Sequence, residues 1–186
     1  MRIEYDCSME PVCDKERQLG FHSSILLYFS GPTIPITIEP TPYEAVDLRN
    51  QGIRIEPYRC RALIDTGAAF IVVRPSVITK LGLDKKKKGE KVIFGITGSK
   101  ECPIYSGVIR AEMGVAYELP LVSCDLGEQN FDCILGRNLL RHLDIQYSGA
   151  NGKFSIDDLE KIPQVSPFDD MEWWKTFFNP PPSDHP

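Results

Sequence analysis

Several sequence features that identify common enzyme classes are missing from this chain. It contains only three histidines, and none of them forms an H-E-x-x-H motif or a recognisable nucleophile-base arrangement. A G-x-S-x-G nucleophile elbow and a phosphate-binding P-loop are absent as well. The sequence therefore gives no support for metalloprotease, serine hydrolase or phosphoryl-transfer chemistry, and we expect no metal and no other cofactor.

The chain also lacks long apolar segments and an excess of positive charge. Its apolar runs are too short to cross a bilayer, and its acidic N-terminus leads into no signal-peptide core. The six cysteines form no C-x-x-C pair and are expected to be free thiols. The net charge of -5 argues against nucleic acid as a partner, and Lys85-Lys86-Lys87-Lys88 is expected on a solvated loop. We expect a cytoplasmic protein without membrane or nucleic-acid partners.

What the sequence does contain is enough apolar material for one domain built mainly of strands. Its 186 residues, 42% of them hydrophobic, suffice for a real core. Two short helices are predicted, one over 75–81 with Pro at its start and one directly after Gly136. Apolar or alternating runs predict strands at 24–28, 34–38, 59–64, 70–73, 91–94, 101–106, 108–113, 117–123, 132–135, 144–147 and 153–156. The first two runs are expected to form an opening hairpin.

The most informative segment is Asp65-Thr66-Gly67-Ala68, which lies between the apolar runs 62–64 and 70–73. This pattern places one carboxylate at a tight turn between two buried strands. Taken alone, the turn could be an Asx turn in which the Asp side chain only bonds its own backbone. No second Asp-Thr-Gly or Asp-Ser-Gly occurs in the chain. Chemistry that needs two such carboxylates would therefore need a second copy of the protein.

A second motif, Cys133-Ile134-Leu135-Gly136-Arg137-Asn138-Leu139-Leu140, follows later in the chain. With the Asp65 turn, it resembles the active-site turn and the apolar-apolar-Gly motif with its short helix in retropepsin-like aspartic proteases. The segment 95–98 lies between the two, where that family has a mobile flap. The resemblance implies an all-β retropepsin-like barrel with one or two short helices, over residues 21–156, that acts as a homodimer. It leaves an N-terminal extension, 1–20, and a C-terminal tail, 157–186.

The resemblance also implies a role for each motif residue. Asp65 of each subunit would hold a shared water, one carboxylate acting as base and the other as acid. Thr66 would bond the partner's turn, and Gly67 would give the turn its backbone freedom and admit the substrate backbone. The residues implied to contact an extended peptide substrate are Ala68, Ala69, Gly95, Ile96, Thr97 and Gly98. The residues implied to support the site from beneath are Ile134, Leu135, Gly136 and Arg137.

Ala69 marks a departure from the viral members of this family. Many of them carry a second Asp at this position, which pairs with the Arg that corresponds to Arg137. Arg137 thus lacks its expected partner, and it could pair with another carboxylate or bond a backbone carbonyl. Cellular and bacterial relatives, which tolerate small residues here and insert a helix such as 75–81, resemble this chain more closely.

The sequence leaves two functions of different classes open. The first is an aspartic endopeptidase that acts as a homodimer on peptide or protein substrates. The alternative is a dimeric peptide-binding or scaffold module that keeps the protease fold but does not cleave peptides. A third possibility is a monomeric β-domain without an active site. In the tail, Met171, Trp174 and Phe178 could share one face of a short helix. That face could dock on the chain's own body, serve as a dimer arm or bind a partner.

Overall fold

The computed structural model of the protein describes residues 2–6, 23–95, 98–111 and 116–158. These residues form strands joined by short helices. The strands are β1 (Arg2–Asp6), β2 (Thr33–Glu39), β3 (Tyr58–Ile64), β4 (Ile71–Val73), β5 (Gly89–Gly95), β6 (Gly98–Ala111), β7 (Ala116–Ser123), β8 (Cys133–Leu135), β9 (Leu143–Ser148) and β10 (Lys153–Asp158). The helices are α1 (Ser23–Ser30), α2 (Pro42–Asn50), α3 (Pro75–Lys80), α4 (Arg137–Leu140) and the 3-10 turn Gly149–Asn151.

Seven of the strands form one sheet in the order β2-β3-β8-β4-β7-β6-β5. An additional pairing of β2 with β6 joins the first strand to the sixth, so that six strands close into a barrel and β5 stands outside the closure. Most neighbours are antiparallel, but β3 runs parallel to β8 and β4 runs parallel to β7. The predicted β-rich barrel is confirmed.

The long strand β6 has a different neighbour at each of its ends. Its first half, from Gly98 to Ile104, pairs with β5 to make a hairpin. From Ile104 onward it pairs with β7, and its last residues, from Val108 to Ala111, also pair with β2. The β5–β6 hairpin is therefore an extension of a barrel strand beyond the barrel.

A second, three-stranded sheet with the order β1-β10-β9 packs against the barrel. The stacked rings of Tyr5 and Phe154 lie 5.0 Å apart at their centroids. Phe154 and Ile156 belong to the same apolar core as Leu121 and Leu135 of the barrel. The two sheets thus bury one continuous core, which fixes the ends of the barrel strands on which the motif residues lie.

The structure corrects the prediction for the start of the domain. The segment 24–28, predicted as a strand, lies in α1, so the opening hairpin with 34–38 does not exist. The region between Glu39 and Pro57, predicted as a connection, contains α2. Four α-helices are present in the described residues, where one or two had been predicted. The two predicted helices, α3 and α4, are confirmed.

The middle strands and the ends of the chain also differ from the predictions, but in smaller ways. The runs predicted as separate strands at 101–106 and 108–113 belong to one strand, β6, as far as Ala111, and residues 112 and 113 lie outside the described residues. Within the predicted N-terminal extension, β1 pairs with β10. Nearly all of the C-terminal tail, with its aromatic segment, lies outside the described residues.

The run of four lysines precedes β5, and three of its members take part in ion pairs. Lys88 lies 3.2 Å from Glu44 of α2, and Lys86 and Lys87 pair with Asp47 and Glu90. The positive charge of the run is thus largely compensated by neighbouring carboxylates. None of the described helices is long and apolar enough to span a bilayer.

Candidate active site

The two sequence motifs meet at one end of the barrel because their strands are parallel neighbours. In the β3–β8 pair, Ile64 lies beside Leu135, so Asp65 and Gly136 follow at the same edge. The N–H of Asp65 donates to the carbonyl of Leu135 at 3.1 Å. The chain then turns at once, and the N–H of Ala68 donates to the carbonyl of Asp65 at 3.2 Å. The motif therefore forms the predicted tight turn.

The carboxylate of Asp65 is held by the turn that it begins. Its Oδ1 accepts the N–H of Gly67 at 2.7 Å, which is the contact of an Asx turn. The residue is half-buried, and no donor among the described residues is bonded to its Oδ2. One oxygen is thus fixed by the backbone, and the other is left for a water molecule or a second carboxyl group.

Gly136 lets the segment after β8 cross the segment after the Asp65 turn at close range. A Cβ atom at this position would lie 2.3 Å from the carbonyl oxygen of Phe70 and 2.7 Å from its nitrogen. Because the two segments are close, their backbones are hydrogen-bonded. The N–H of Arg137 donates to the carbonyl of Ala68 at 2.9 Å, and the N–H of Asn138 donates to the carbonyl of Ala69 at 3.1 Å. The crossing pins the exit of the turn to the start of α4.

The side chain of Arg137 fixes the turn itself. Its Nη1 donates to the carbonyl oxygens of Thr66 at 2.7 Å and of Gly67 at 2.9 Å. Of the two alternatives for Arg137, the structure therefore shows the backbone carbonyls. Ala69, which stands where viral members carry an acid, is exposed.

The remaining predicted floor residues lie around this frame. Thr66 is exposed, and Ala68 and Ile134 are half-buried. Leu135 is buried in the apolar core. The structure brings together all predicted residues of the two motifs, while the roles assigned to them remain predictions.

The predicted flap is the β5–β6 hairpin. Gly95 and Gly98 form its last pair, so the loop between them has two residues. Those two residues, Ile96 and Thr97, lie outside the described residues. The prediction that Ile96 is the apolar contact of the tip therefore remains a prediction. Near the tip, Phe94 is 82% exposed.

One face of the hairpin packs on the segment that leaves the Asp65 turn. Phe70 and Ile93 lie in an apolar cluster with Ile104. The Nζ of Lys91 lies 4.9 Å from the centroid of the Phe70 ring, and burial lowers the pKa of Lys91. In the sequence, Phe70 and Lys91 belong to two separate strand-like runs, and nothing local indicates that they meet.

The arrangement offers carboxylate chemistry. In the described ranges, no group of three or more His, Cys, Asp or Glu side chains is placed to hold a metal ion. What the site presents is one half-buried acid in a rigid backbone frame, with a glycine-bounded hairpin beside it. Such a group can bind and polarise a water molecule, and with a second carboxyl group it can both give and take a proton.

Comparison with known proteins points in the same direction. Residues 51–139 match the sequence model of a family described as "Aspartyl protease", and this segment contains the Asp65 motif, the β5–β6 hairpin and the second motif up to Leu139. No curated protein sequence matches the chain. Among solved structures, the chain is similar to EIAV protease in complex with the inhibitor HBY-793, with 21% identity, coverage of 59% of this chain and 85% of that one, and a TM-score of 0.40. It is also similar to the protease of Simian Foamy Virus (mac), with 16% identity, 57% and 91% coverage, and a TM-score of 0.35.

Proposed function

We propose that this chain, whose residues 51–139 match the model of an aspartyl protease family, is an aspartic endopeptidase that acts as a homodimer. Each subunit would contribute one Asp65 to a shared site. The observation that carries the proposal is the frame around Asp65, in which Oδ1 is bonded to Gly67 and the turn is held by Arg137 and the segment after Gly136. In a symmetric dimer, Asp65 of one subunit would face Asp65 of the other across the two-fold axis.

The chemistry follows from two carboxyl groups at close range. Because two negative charges a few ångströms apart repel each other, a facing pair of carboxyl groups favours the state with one carboxylate and one carboxylic acid. The ionised Asp65 takes a proton from a bound water, which attacks the peptide carbonyl carbon. The protonated Asp65 of the partner donates its proton to the carbonyl oxygen, which gives a tetrahedral intermediate. The first Asp65 then gives the proton that it took from water to the amide nitrogen, the C–N bond breaks, and a hydroxyl of the intermediate returns a proton to the partner's Asp65.

The other residues would position the substrate and the acid. Thr66 is exposed at the turn, where its hydroxyl could bond the partner's turn. An extended peptide would lie between the floor, formed by Ala68 and Ala69, and the β5–β6 hairpin. Gly95 and Gly98 are exposed, and backbone groups at this end of the hairpin would bond the peptide backbone, as in other cases of strand addition.

A digest of a peptide library by the full chain, from acidic to neutral pH, tests the proposal. Asp65→Asn is the matched variant, since its amide oxygen can still accept the N–H of Gly67 while the carboxylate is lost. We expect wild type to cleave within peptides and the variant to be roughly 10²–10⁴-fold slower. Equal cleavage by both proteins would show that Asp65 does not catalyse the reaction.

Mixing the two proteins tests the shared site directly. If each active unit needs Asp65 from both subunits, then after subunit exchange the activity falls with the square of the wild-type fraction. If one chain suffices, activity falls linearly with that fraction. A single-chain mass in light scattering at all usable concentrations would contradict the dimer, and a dimer that captures peptides without cleaving them would favour the scaffold alternative.

A further inference from the structure

Two cysteines lie opposite each other where the β5–β6 hairpin leaves the barrel. The antiparallel β6–β7 ladder has Ile104 opposite Val122 as its last pair toward the hairpin tip. Extending that register by two residues on each strand places Cys102 opposite Cys124, on the same face. Both cysteines are free thiols, Cys124 packs against the apolar cluster that contains Cys102, and it is near enough to raise the pKa of Cys102.

This placement is compatible with a disulfide. Opposite residues of an antiparallel pair have Cα atoms about 4.5–5.5 Å apart. Disulfides join residues whose Cα atoms are about 4.4–6.8 Å apart. The bond can therefore form without a large movement of either strand.

The two thiols differ in their access to solvent. Cys102 is 1% exposed, whereas Cys124 is only half-buried. Burial raises the pKa of Cys102 to about 11, and the neighbouring Cys124 contributes to this shift. Because the thiolate is the nucleophile, Cys102 reacts slowly with reagents in solution at neutral pH, and a disulfide held beside it reacts faster because it is close. Cys124 is the thiol that a small reagent reaches first.

We propose that Cys102 and Cys124 form a reversible disulfide and that the pair is a modification site for small disulfides such as glutathione disulfide. The Cys124 thiolate attacks one sulfur of the reagent, the reagent's S–S bond breaks, and one thiol leaves. Cys102 then loses its proton to solvent and attacks the Cys124 sulfur, and the second thiol leaves. The two cysteines together lose two electrons, which reduce the reagent to two thiols.

The bond would act on the hairpin at its base. Residues 98–103 of β6 pair with β5 alone, whereas β7 holds the strand from Ile104 onward. A link from Cys102 to Cys124 would tie this free part to a segment anchored on β4, because the N–H of Cys124 donates to the carbonyl of Val73 at 3.0 Å. Oxidation would thus restrict opening of the hairpin. Only the effect on catalysis rests on the proposed function, since the bond itself requires no protease activity.

The test treats the full chain with glutathione disulfide, blocks the remaining thiols, and maps the peptides by mass spectrometry without reduction. We expect a Cys102–Cys124 link that dithiothreitol removes. Cys102→Ser should stop at a glutathione adduct on Cys124, while Cys124→Ser should carry no adduct on the buried Cys102. Cys60→Ser, which changes another half-buried thiol, should form the link as wild type does. Absence of the link in wild type, or of the adduct in Cys102→Ser, overturns the proposal.

Hydrogen exchange tests the effect on the hairpin. In the oxidised protein, amides of residues 98–102 should exchange roughly three- to tenfold more slowly than in the reduced protein. Unchanged exchange in the linked protein would overturn the proposed restraint of the hairpin. If Cys102→Ser does not fold, Cys102→Ala replaces it, and the mapping of wild type stands independently of either variant. A protein that forms the link but cleaves no peptide would contradict only the proposed function.

Discussion

Arg137 donates from Nη1 to the carbonyl oxygen of Thr66 at 2.7 Å, and the same nitrogen reaches the carbonyl of Gly67 at 2.9 Å. A cation on α4 thereby fixes the backbone of the turn that carries Asp65. The contact does not involve a carboxylate, so the site does not need the second acid that viral members carry where this chain has Ala69. A charged donor on two carbonyl oxygens also orients their peptide planes, which directs the N–H of Gly67 toward Asp65.

Replacing Arg137 tests how much this contact stabilises the turn. We expect Arg137→Met to lower the free energy of unfolding by about 1–2 kcal/mol, since two charge-assisted hydrogen bonds are lost at an exposed site. Urea unfolding at fixed protein concentration, followed by circular dichroism, measures the change. Arg141→Met, at the other end of the same short helix, is the control and should stay within about 0.5 kcal/mol of wild type. Equal stability of the two variants would contradict a structural role for the Arg137 contacts.

Gly136 gives a sharper prediction, because its neighbours are backbone atoms that cannot turn away. In Gly136→Ala, the new methyl group would lie 2.3 Å from the carbonyl oxygen of Phe70. We expect a loss of about 3–5 kcal/mol in the free energy of unfolding, or no folded protein. The control is Gly89→Ala, where a Cβ atom meets nothing within 4 Å, and it should change stability by less than about 1 kcal/mol. A Gly136→Ala protein as stable as the control would show that the crossing can relax.

The part of the site that could be predicted from the sequence is the part with a local cause. The Asp65-Thr66-Gly67 segment between two apolar runs predicts a tight turn. The resemblance carried by both motifs together predicts that the second motif lies beside this turn. The partner of Arg137 could not be predicted, because the carbonyls of Thr66 and Gly67 reach it only through the crossing at Gly136. The contact of Lys91 with Phe70 depends in the same way on the tertiary fold.

The two helices that were not predicted, α1 and α2, differ in whether their sequences contain a signal for a helix. In α1, the run Ile25 to Phe29 is apolar throughout, so its periodicity cannot separate a helix from a buried strand. In α2 the signal was present, since Thr41 and Glu44 form a capping box with Pro42 between them. Only Glu44 and Leu48 of this helix are buried, so no apolar stripe reinforced the cap.

The ion pair between Lys88 and Glu44 predicts a cost when the lysine is removed. Glu44 has a side chain that is only 2% exposed, with Oε2 in the capping box and Oε1 at 3.2 Å from Lys88. We expect Lys88→Met to lower the free energy of unfolding by about 1–3 kcal/mol near neutral pH, because a buried charge loses its partner. Adding Glu44→Gln should recover part of the loss. Lys87→Met, which breaks an exposed pair, is the control, and an equally small effect of both lysine changes would contradict the prediction.

Glu118 lies near the same ion pair and predicts a dependence of stability on pH. Burial raises the pKa of Glu118, the charge of Glu44 raises it further, and Lys88 opposes the shift. The folded state therefore binds the Glu118 proton more tightly than the unfolded state does. It follows that this group lowers the stability of the protein as the pH rises from the ordinary carboxyl pKa through the raised one.

Glu118→Gln removes this charge at all pH values. We expect the variant to be more stable than wild type near neutral pH, and the difference to shrink as the pH falls below the ordinary range of a Glu carboxyl. Unfolding in urea at about pH 7.5 and at about pH 3.5 measures the two differences. Glu56→Gln, at an exposed pair with Arg54, controls for the loss of one negative charge at the surface and should show little change. A stability difference that does not change with pH, or a variant less stable than wild type at neutral pH, would show that Glu118 is not penalised by its charge in the folded protein.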